Sequence, residues 1–420
     1  MRVLWISFVL FPEASVLSGK EITHRGSGGW LFAAAEALLD TNLGIELRVA
    51  TVSPGIKEFV FLHGERTDYY LIPYGRGFNK YHHGYDEYWK AIKNEFHPDV
   101  VHVHGIESSL ALSYMNVCGN ENVVCSIQGL FNVIARYMFY GLPKRELLFN
   151  TTLRDVIRGS YFRLQRDYLR RQGFIEDTMK KGRYFIGRTS WDRAHLWAVN
   201  PNAEYLYCNE TLRRSFYTNK WAYKNCQPHS IFLSSIKGLP LFLRALRIVV
   251  KYYPDVVVRI AGDTSISKRS FRDRIRRTGY EKLVINRINR YELSHYLFFL
   301  GSLSEDEIRK EYLQANVFVN PSQIENSSNS VGEAQLMGVP LIASYVGGMS
   351  DLIPDISCGI MYRFDEYEML ARAICDVFEM SRGFDNSRMI AVAKERHDKT
   401  KNAMRTASLY QYIKQNTSIE

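Results

Sequence analysis

Two carboxylates stand eight positions apart in one short stretch of the chain, the segment ENSSNSVGE. Glu325 opens this segment, Glu333 closes it, and mostly small polar residues lie between them. A carboxylate can accept hydrogen bonds from the hydroxyl groups of a sugar or a ribose. Exposed main-chain N–H groups at the start of a helix can bind a phosphate. The segment therefore predicts a site for a nucleotide sugar, against the alternative of a solvated loop glutamate and an ordinary glutamate in a helix's first turn.

The residues on either side predict the elements that position this segment. VFVNPS, residues 317–322, is an apolar run stopped by Pro321, which is typical of a buried strand in a parallel sheet. Residues 332–338 are helix formers that Gly338 and Pro340 terminate, and LIAS then begins another strand. Three loop residues are thus expected between the carboxyl end of a strand and the amino end of a helix, where an anion binds readily: Ser328, Asn329 and Ser330.

The same region resembles the Glu, seven residues, Glu signature of retaining glycosyltransferase family 4. GEAQLMGVPLIASYVGGMSDLI, residues 332–353, is similar to that family's EA, GxP and GG(x)₂(D/E) run. Upstream, three stretches follow the family's usual order: GLPLFLRAL (238–246), VVVRIAGD (256–263) and FLGSLSEDEIRKEYLQANVFVNPS (299–322). The resemblance implies an α/β protein of the GT-B fold, with two Rossmann-like doubly wound parallel-sheet domains facing a central cleft.

The resemblance also implies a role for each candidate residue of the second domain. Glu333 would hold the ribose hydroxyl groups of the donor, and Glu325 would contact the hydroxyl groups of the sugar. Lys237 in SIKGLP would neutralise the donor diphosphate. The family usually has an arginine a few residues earlier, where this chain has Ser234 and Ser235. Another cation would have to compensate, and two candidates are Arg188 and Arg213.

The first half of the chain contributes two further candidates. Gly28 and Gly29 in SGG open a predicted helix and resemble the family's first-domain glycine loop, with a simple turn as the alternative. A dinucleotide fingerprint fails because Leu31 stands where its third glycine would be. His102 and His104 alternate along VHVHG and so share one face of a strand. His104 resembles the family's cleft histidine, which contacts the transferred sugar or the acceptor, with a satisfied buried histidine as the alternative.

Length and composition indicate a globular chain of two or three domains, because 420 residues with 46% hydrophobic content can form sizeable cores. The formal charge of +10 admits anionic partners. Residues 151–183 hold nine Lys or Arg against four Asp or Glu, and 9 − 4 gives +5. Apolar residues between the arginines predict peripheral contact of an amphipathic helix with an anionic membrane, against a solvated helix face. No nucleic-acid module appears, so nucleic acid is not expected as a partner.

Cysteine usage and hydropathy predict a cytoplasmic protein, with the inner face of the cell membrane as a further location. The six cysteines are scattered without a CxxC pair or a zinc-like cluster. The run VLWISFVLF, residues 3–11, is better explained as a first strand than as a signal peptide, since it lacks a small-residue cleavage site. No run approaches the ~20 apolar residues that span a bilayer. Neither a metal nor a cofactor is expected.

Alternating apolar runs and helical patterns predict parallel sheets covered on both faces. A polar, aromatic stretch at 217–230 precedes a fresh strand and predicts the hinge. The predicted domains are an acceptor-binding domain over residues 1–225 and a nucleotide-sugar-binding domain over 226–395. The resemblance implies that a helix over about 396–420 packs back on the first domain.

The resemblance to family 4 implies a retaining hexosyltransferase. It would move a hexose-type sugar from a UDP- or GDP-linked donor to a hydroxyl of a glycan or lipid-linked acceptor, in the synthesis of a bacterial surface polysaccharide. Two alternatives stay open: a sugar-nucleotide epimerase of the same fold, and a noncatalytic protein that binds a nucleotide sugar or a polysaccharide.

Overall fold

The computed structural model describes residues 1–19, 28–74, 83–159, 161–262, 266 and 271–417. Ser27 of the SGG stretch and Asp263 of VVVRIAGD lie outside this description. The chain forms two compact units. The first unit comprises residues 1–134, 167–212 and 397–420, and the second comprises residues 135–166 and 213–396. The chain thus changes unit after residue 212 rather than 225, and the segment 135–166 lies in the second unit although it falls within the predicted first domain.

Strands supply one sheet to each unit. In chain order the strands are β1 (Arg2–Ser7), β2 (Glu46–Ser53), β3 (Val60–Leu62), β4 (Asp68–Pro73), β5 (Val100–His104), β6 (Val123–Ser126), β7 (Tyr184–Gly187), β8 (Glu204–Tyr207), β9 (Ser230–Leu233), β10 (Val257–Ala261), β11 (Leu297–Gly301), β12 (Val317–Asn320), β13 (Leu341–Ser344) and β14 (Ile360–Tyr362). Over the described residues, the first sheet has the order β3-β4-β2-β1-β5-β6-β7-β8 and the second has the order β11-β10-β9-β12-β13-β14. The pairing of β3 with β4 is antiparallel, while the other strand pairings are parallel.

Helices connect these strands, as parallel pairing requires. In chain order they are α1 (Pro12–Leu17), α2 (Gly29–Leu39), α3 (Asp86–Phe96), α4 (Leu110–Cys118), α5 (Phe131–Tyr137), α6 (Lys144–Phe149), α7 (Leu153–Arg158), α8 (Tyr161–Arg170), α9 (Gln172–Lys181), α10 (Ser190–Val199), α11 (Leu239–Val249), α12 (Phe271–Arg276), α13 (Gly279–Arg290), α14 (Glu305–Gln314), α15 (Asn329–Met337), α16 (Met349–Leu352), α17 (Tyr367–Met380), α18 (Ser387–Arg396) and α19 (Lys399–Thr417). Short 3₁₀ turns lie at His83–Tyr85, Arg214–Tyr217, Tyr223–Asn225, Ile356–Cys358 and Ser381–Gly383.

One predicted helix is broken in the structure. The basic segment 151–183 forms α7, α8 and α9, and the first break lies at Gly159, which follows α7 with a φ of 83° that a continuing helix does not permit. The helix expected over about 396–420 corresponds to α19, with the described bounds Lys399–Thr417. There the main-chain N–H of Lys401 donates to Asp398 Oδ1 over 2.8 Å, so a side chain satisfies a donor at the start of α19.

In the first unit a buried hydrogen-bond chain ties α19 to the sheet. Tyr410 of α19 is fully buried, and its hydroxyl accepts a 2.9 Å hydrogen bond from Trp5 Nε1 of β1. The same hydroxyl lies 2.6 Å from His102 Nδ1 on β5. His102 Nε2 in turn lies 2.7 Å from Ser126 Oγ on β6. These bonds link the adjacent strands β1, β5 and β6 near the end of β5, where the candidate His104 lies.

In the second unit the core lies between the sheet and its covering helices. Ile231 of β9 and Val319 of β12 are buried with Phe242 of α11 and Ile374 of α17 in one apolar cluster. Because β9 and β12 are neighbours at the centre of this sheet, the loops that follow them end side by side. Lys237 follows the first of these strands and Glu325 follows the second.

Candidate active site

The loop between β12 and α15 is fastened to the sheet at both ends. At its start, the Ser344 hydroxyl of β13 donates to the main-chain oxygen of Ser322. At its end, the side-chain amide of Asn320 donates to Ser328 Oγ over 3.0 Å. The loop is therefore held in one conformation by side chains whose own positions are set by two neighbouring strands.

Two glycines allow other segments to approach this loop closely. Gly238 has a φ of 68°, and a Cβ there would lie 1.8 Å from the main-chain oxygen of Pro321. Gly347 has a φ of 54°, and a Cβ there would lie 1.8 Å from the main-chain oxygen of Glu325. At both positions any side chain would be strained and would force the neighbouring main chain to move. Because Gly238 is the N-cap residue of α11, it also brings Lys237 against the loop.

The Glu325 carboxylate is paired with Lys237. Lys237 Nζ lies 2.9 Å from Glu325 Oε1, and Ser322 Oγ donates to the same oxygen over 2.9 Å. The lysine side chain is 63% exposed, whereas that of Glu325 is 17% exposed. The ammonium can therefore move to an incoming anion at little cost, while the carboxylate is held by its surroundings.

Glu333 is buried inside α15 against a cation. Arg213 donates to Glu333 Oε1 from Nε over 2.9 Å and from Nη2 over 2.6 Å. Burial raises the pKa of Glu333 to about 7, while the Arg213 charge opposes that rise and Glu305 adds to it. The Arg213 guanidinium also lies over the Phe216 ring at 4.6 Å. The carboxyl group thus titrates near neutral pH, and in its ionised form it is a strong acceptor for hydroxyl donors.

The amino end of α15 faces the same loop. Ser328 is the N-cap residue, and its hydroxyl lies 2.9 Å from Ser330 Oγ. The Tyr312 hydroxyl donates to the main-chain oxygen of Ser330 over 2.9 Å. The first N–H groups of an α-helix lack partners within the helix and carry its positive dipole end. The N–H groups of Asn329 and Ser330 belong to this first turn, which suits a phosphate.

In the first unit, Gly28 and Gly29 begin α2. Gly28 is the N-cap residue with a φ of 86°, and a Cβ there would lie 2.3 Å from Val9 Cγ1. Packing against Val9 by itself therefore requires glycine at position 28. The predicted contact of these glycines with a ligand stays a prediction.

His104 lines a cavity in the first unit. The cavity is open on one side, and the empty space in and in front of it amounts to about 510 Å³. The His104 ring is buried 4.2 Å from the Trp5 ring and 3.8 Å from the His102 ring, measured between centroids. Among the described residues neither His104 ring nitrogen has a hydrogen-bond partner, whereas both nitrogens of His102 have one. Burial, with a smaller effect of His102, holds the pKa of His104 well below its usual value, so the ring is neutral.

A buried ion pair lines the same cavity. Arg188 Nη1 donates to Glu210 Oε1, and Arg188 Nη2 donates to Gln128 Oε1 over 2.8 Å. Within the described part of the chain, Glu210 Oε2 lacks a hydrogen-bond partner. Sequence reasoning named Arg188 as a candidate cation for a diphosphate and missed Glu210. The signal lies in the stretches GRTSWDR and CNETLRR, but nothing in the sequence indicates that they meet.

The structure thus joins Glu325 to Lys237 and Glu333 to Arg213 in the second unit, while His104 lies in the first unit. Across the described residues, no group of three or more His, Cys, Asp or Glu side chains is placed to hold a metal ion. The helices that the structure describes are all too short or too polar to cross a lipid bilayer. The six cysteines are unbridged.

Comparison with known families finds a match over part of the chain. Residues 232–402 match the family model described as Glycosyl transferases group 1. This range contains Lys237, Glu325 and Glu333, together with the two glycines that hold the loop. The match supports a glycosyltransferase of group 1.

Curated relatives share local similarity. A GDP-mannose-dependent alpha-mannosyltransferase of Corynebacterium glutamicum is 34% identical over 116 residues, which is 27% of this chain and 27% of the relative. The sulfoquinovosyl transferase SQD2 of Arabidopsis thaliana is 40% identical over 57 residues, which is 14% of this chain and 11% of the relative. The chain thus spans about a quarter or less of the length of these relatives.

Solved structures share the fold over the full chain. A sucrose-phosphate synthase from Thermosynechococcus elongatus has a TM-score of 0.69 at 16% identity and covers 98% of each chain. The Anabaena protein HepE, in complex with UDP and glucose, has a TM-score of 0.63 at 14% identity and covers 97% of this chain and 99% of its own. The expected GT-B fold, with two mostly parallel α/β sheets, is confirmed.

Proposed function

We propose that this protein is a retaining glycosyltransferase that moves a hexose-type sugar from a nucleotide-diphosphate sugar to a hydroxyl of a glycan or lipid-linked acceptor. One observation carries the proposal: Glu325 lies in the loop between β12 and α15, Glu333 lies about one turn into α15, and each is paired with a cation. This arrangement supplies hydroxyl acceptors and positive charge at one place, which a nucleotide sugar requires. The resemblance to retaining family 4 supports retention of the anomeric configuration.

In this proposal the donor binds the second unit. Ionised Glu333 accepts hydrogen bonds from the ribose hydroxyl groups, and Glu325 accepts them from the sugar. The diphosphate lies at the amino end of α15, where the first-turn N–H groups and the helix dipole favour negative charge. Lys237 leaves Glu325 for the diphosphate, because its exposed ammonium is mobile and the incoming charge is larger.

The same groups favour the reaction itself. The bond between the anomeric carbon and the diphosphate oxygen breaks, and the electron pair passes to the diphosphate as leaving group. The acceptor oxygen forms the new bond and passes its proton to the leaving diphosphate oxygen. Lys237 and the N–H groups of Asn329 and Ser330 stabilise the charge that grows on the leaving oxygen, which lowers the barrier rather than merely tightening binding.

The acceptor is proposed to bind the first unit, at the cavity that His104 lines. The unpaired ring nitrogens of His104 and the unpaired Glu210 oxygen can bond to sugar hydroxyl groups, and the Trp5 and Trp30 rings supply apolar faces. A lipid-linked acceptor accords with a cytoplasmic enzyme at the inner face of the cell membrane. Synthesis of a bacterial surface polysaccharide is the process in which we place such a reaction.

Replacement of Glu325 by Gln tests the assignment. The change keeps the shape of the side chain and removes the charge, so donor-dependent thermal stabilisation should persist while transfer falls by about a hundredfold or more. The donors are UDP- and GDP-linked hexoses, and transfer is followed as saccharide product by mass spectrometry. The matched control is Glu58→Gln, an exposed glutamate of the first unit, which should transfer at the normal rate.

Three outcomes would contradict the proposal. Near-normal transfer by the Glu325 variant would remove this residue from the active site. Accumulation of an epimer from donor alone would indicate a sugar-nucleotide epimerase. Donor binding without transfer, over a broad acceptor panel, would indicate a binding protein.

A further inference from the structure

Helices α6 and α7 and their connection, residues 144–158, present an unusual concentration of exposed apolar side chains. We name this surface the 144–158 face. Its apolar members, with their exposed fractions, are Leu148 (64%), Phe149 (69%), Leu153 (75%), Val156 (73%) and Ile157 (72%). Contiguous exposed apolar side chains of this size mark an interaction surface in a folded protein.

The inner side of the same segment is firmly anchored in the second unit. Leu147 packs in a small apolar cluster with Leu283 of α13. Thr152 and Asp155 form a capping box at the start of α7. The Asp155 carboxylate also accepts a 2.7 Å hydrogen bond from the main-chain N–H of Gly279. Specific contacts therefore hold the segment so that these apolar side chains face outward. The segment is not a frayed helix end.

The acidic and the basic side chains of this segment lie on different sides of it. The segment KRELLFNTTLRDVIR contains two acidic residues, and both are turned inward. Glu146 forms an ion pair with the buried Arg287, and Asp155 is buried in the contacts just described. The basic residues lie on the exposed or half-buried side: Lys144, Arg145, Arg154 and Arg158.

Neighbouring residues add exposed apolar and basic side chains beside the 144–158 face. The Arg145 guanidinium lies 5.4 Å from the centre of the exposed Phe149 ring. Helix α12 lies next to α7, and the Thr152 hydroxyl donates to the main-chain oxygen of Arg277, directly after α12, over 3.1 Å. Helix α12 adds an exposed Ile275, 60% accessible, between two exposed arginines, Arg274 and Arg276.

We propose that the 144–158 face docks on an anionic lipid bilayer. Apolar side chains that enter the acyl boundary and cations that meet acidic headgroups are the two terms of interfacial binding. Both are present, while the ion pair with Arg287 neutralises Glu146 and Asp155 is buried. The charge asymmetry favours a lipid surface over a second copy of this chain, since two such faces would repel one another. Docking through this face is separate from the proposed sugar transfer, so either can fail alone.

Vesicle co-sedimentation of the full chain tests the proposal. The probes are vesicles of phosphatidylcholine, with and without phosphatidylglycerol, at low and high salt. We expect binding to the mixed vesicles, weaker binding to phosphatidylcholine alone, and a further loss at high salt. The triple variant Leu153→Ser, Val156→Ser and Ile157→Ser should bind at least about tenfold more weakly, because these side chains enter the acyl boundary. The double variant Arg154→Gln and Arg158→Gln should lose about thirtyfold on phosphatidylglycerol and little on phosphatidylcholine.

A matched control removes equally exposed apolar side chains elsewhere on the second unit. The variant Tyr252→Ser and Ile356→Ser changes residues that are 70% and 79% exposed, and it should bind vesicles normally. Thermal unfolding of each variant verifies that the fold is retained. The proposal is overturned if the triple variant binds like the wild type, if the control loses binding equally, or if phosphatidylglycerol has no effect. It is also overturned if the triple variant changes only the sedimentation mass without lipid, which would make this face a contact between copies.

Discussion

Replacing Arg213 by Met would leave the Glu333 carboxyl group buried without its cation. The two donor nitrogens of Arg213 both bind Glu333 Oε1, and Glu333 is 4% exposed. Methionine keeps the apolar stem and removes the charge and the hydrogen bonds. The variant therefore isolates what the cation does for this carboxyl group.

The magnitude follows from the pKa of Glu333, which burial raises from 4.5 to about 7 even with Arg213 present. A carboxyl group whose pKa is raised by folding contributes its stabilisation at low pH. The free energy of unfolding falls as the pH rises from the pKa of the unfolded protein towards that of the folded protein. At pH 8 the raised pKa of Glu333 thus lowers the free energy of unfolding of the wild type by about 3 kcal/mol relative to acid pH. In a variant that must keep the group protonated, the free energy of unfolding falls by about 5 kcal/mol. At pH 6 the group is mostly protonated in both proteins, so the electrostatic difference falls to about zero.

The variant should therefore be about 1–2 kcal/mol more destabilised at pH 8 than at pH 6, on top of a pH-independent loss of about 1–2 kcal/mol from missing hydrogen bonds. Urea unfolding followed by circular dichroism at the two pH values measures both parts. Adding Glu333→Gln to the variant should abolish the pH-dependent part, because no carboxyl group is left to titrate. An equal destabilisation at both pH values would refute the electrostatic reasoning.

Three other predictions follow from single contacts. Affinity for UDP, measured by calorimetry, should rise about five- to tenfold from pH 6 to pH 8 as Glu333 ionises, and Glu333→Gln should remove this dependence. Gly238→Ala should destabilise the fold by about 1–3 kcal/mol in urea unfolding, because the position has a positive φ and the added Cβ would clash with the main chain. The control Gly383→Ala has open space around its Cβ and should change stability by less than about 0.5 kcal/mol. Tyr410→Phe should cost about 1–3 kcal/mol by leaving two buried nitrogens unpaired, whereas Tyr412→Phe, which loses an exposed hydrogen bond, should cost under about 1 kcal/mol in the same assay.

Much of the local structure could be predicted from the sequence. The predicted strand at LIAS agrees with β13, and the predicted helix that Gly28 and Gly29 open agrees with α2. These elements are short-range, because apolar spacing and terminal glycines act within a few residues. The breaks between helices were harder to predict from the sequence. A glycine follows α7, but the apolar periodicity continues beyond it.

The pairing of the candidate side chains could not be predicted. Arg213 meets Glu333 across 120 positions, and Lys237 meets Glu325 across 88 positions. Sequence reasoning proposed Arg213 as a partner for a diphosphate, whereas here it holds a carboxylate. Likewise, two adjacent histidines of one strand differ because Tyr410, which comes from a helix 308 positions away, satisfies His102.

By itself, the sequence determined the strand, loop and helix that display Glu325, Ser328 and Glu333, because backbone preferences and steric limits operate between neighbours. Only the tertiary structure decided which cation neutralises each carboxylate, which histidine is left unpaired, and that residues 135–166 join the second unit with the apolar side chains of the 144–158 face exposed. Those outcomes depend on how distant elements pack, and packing is a property of the whole fold rather than of any one segment.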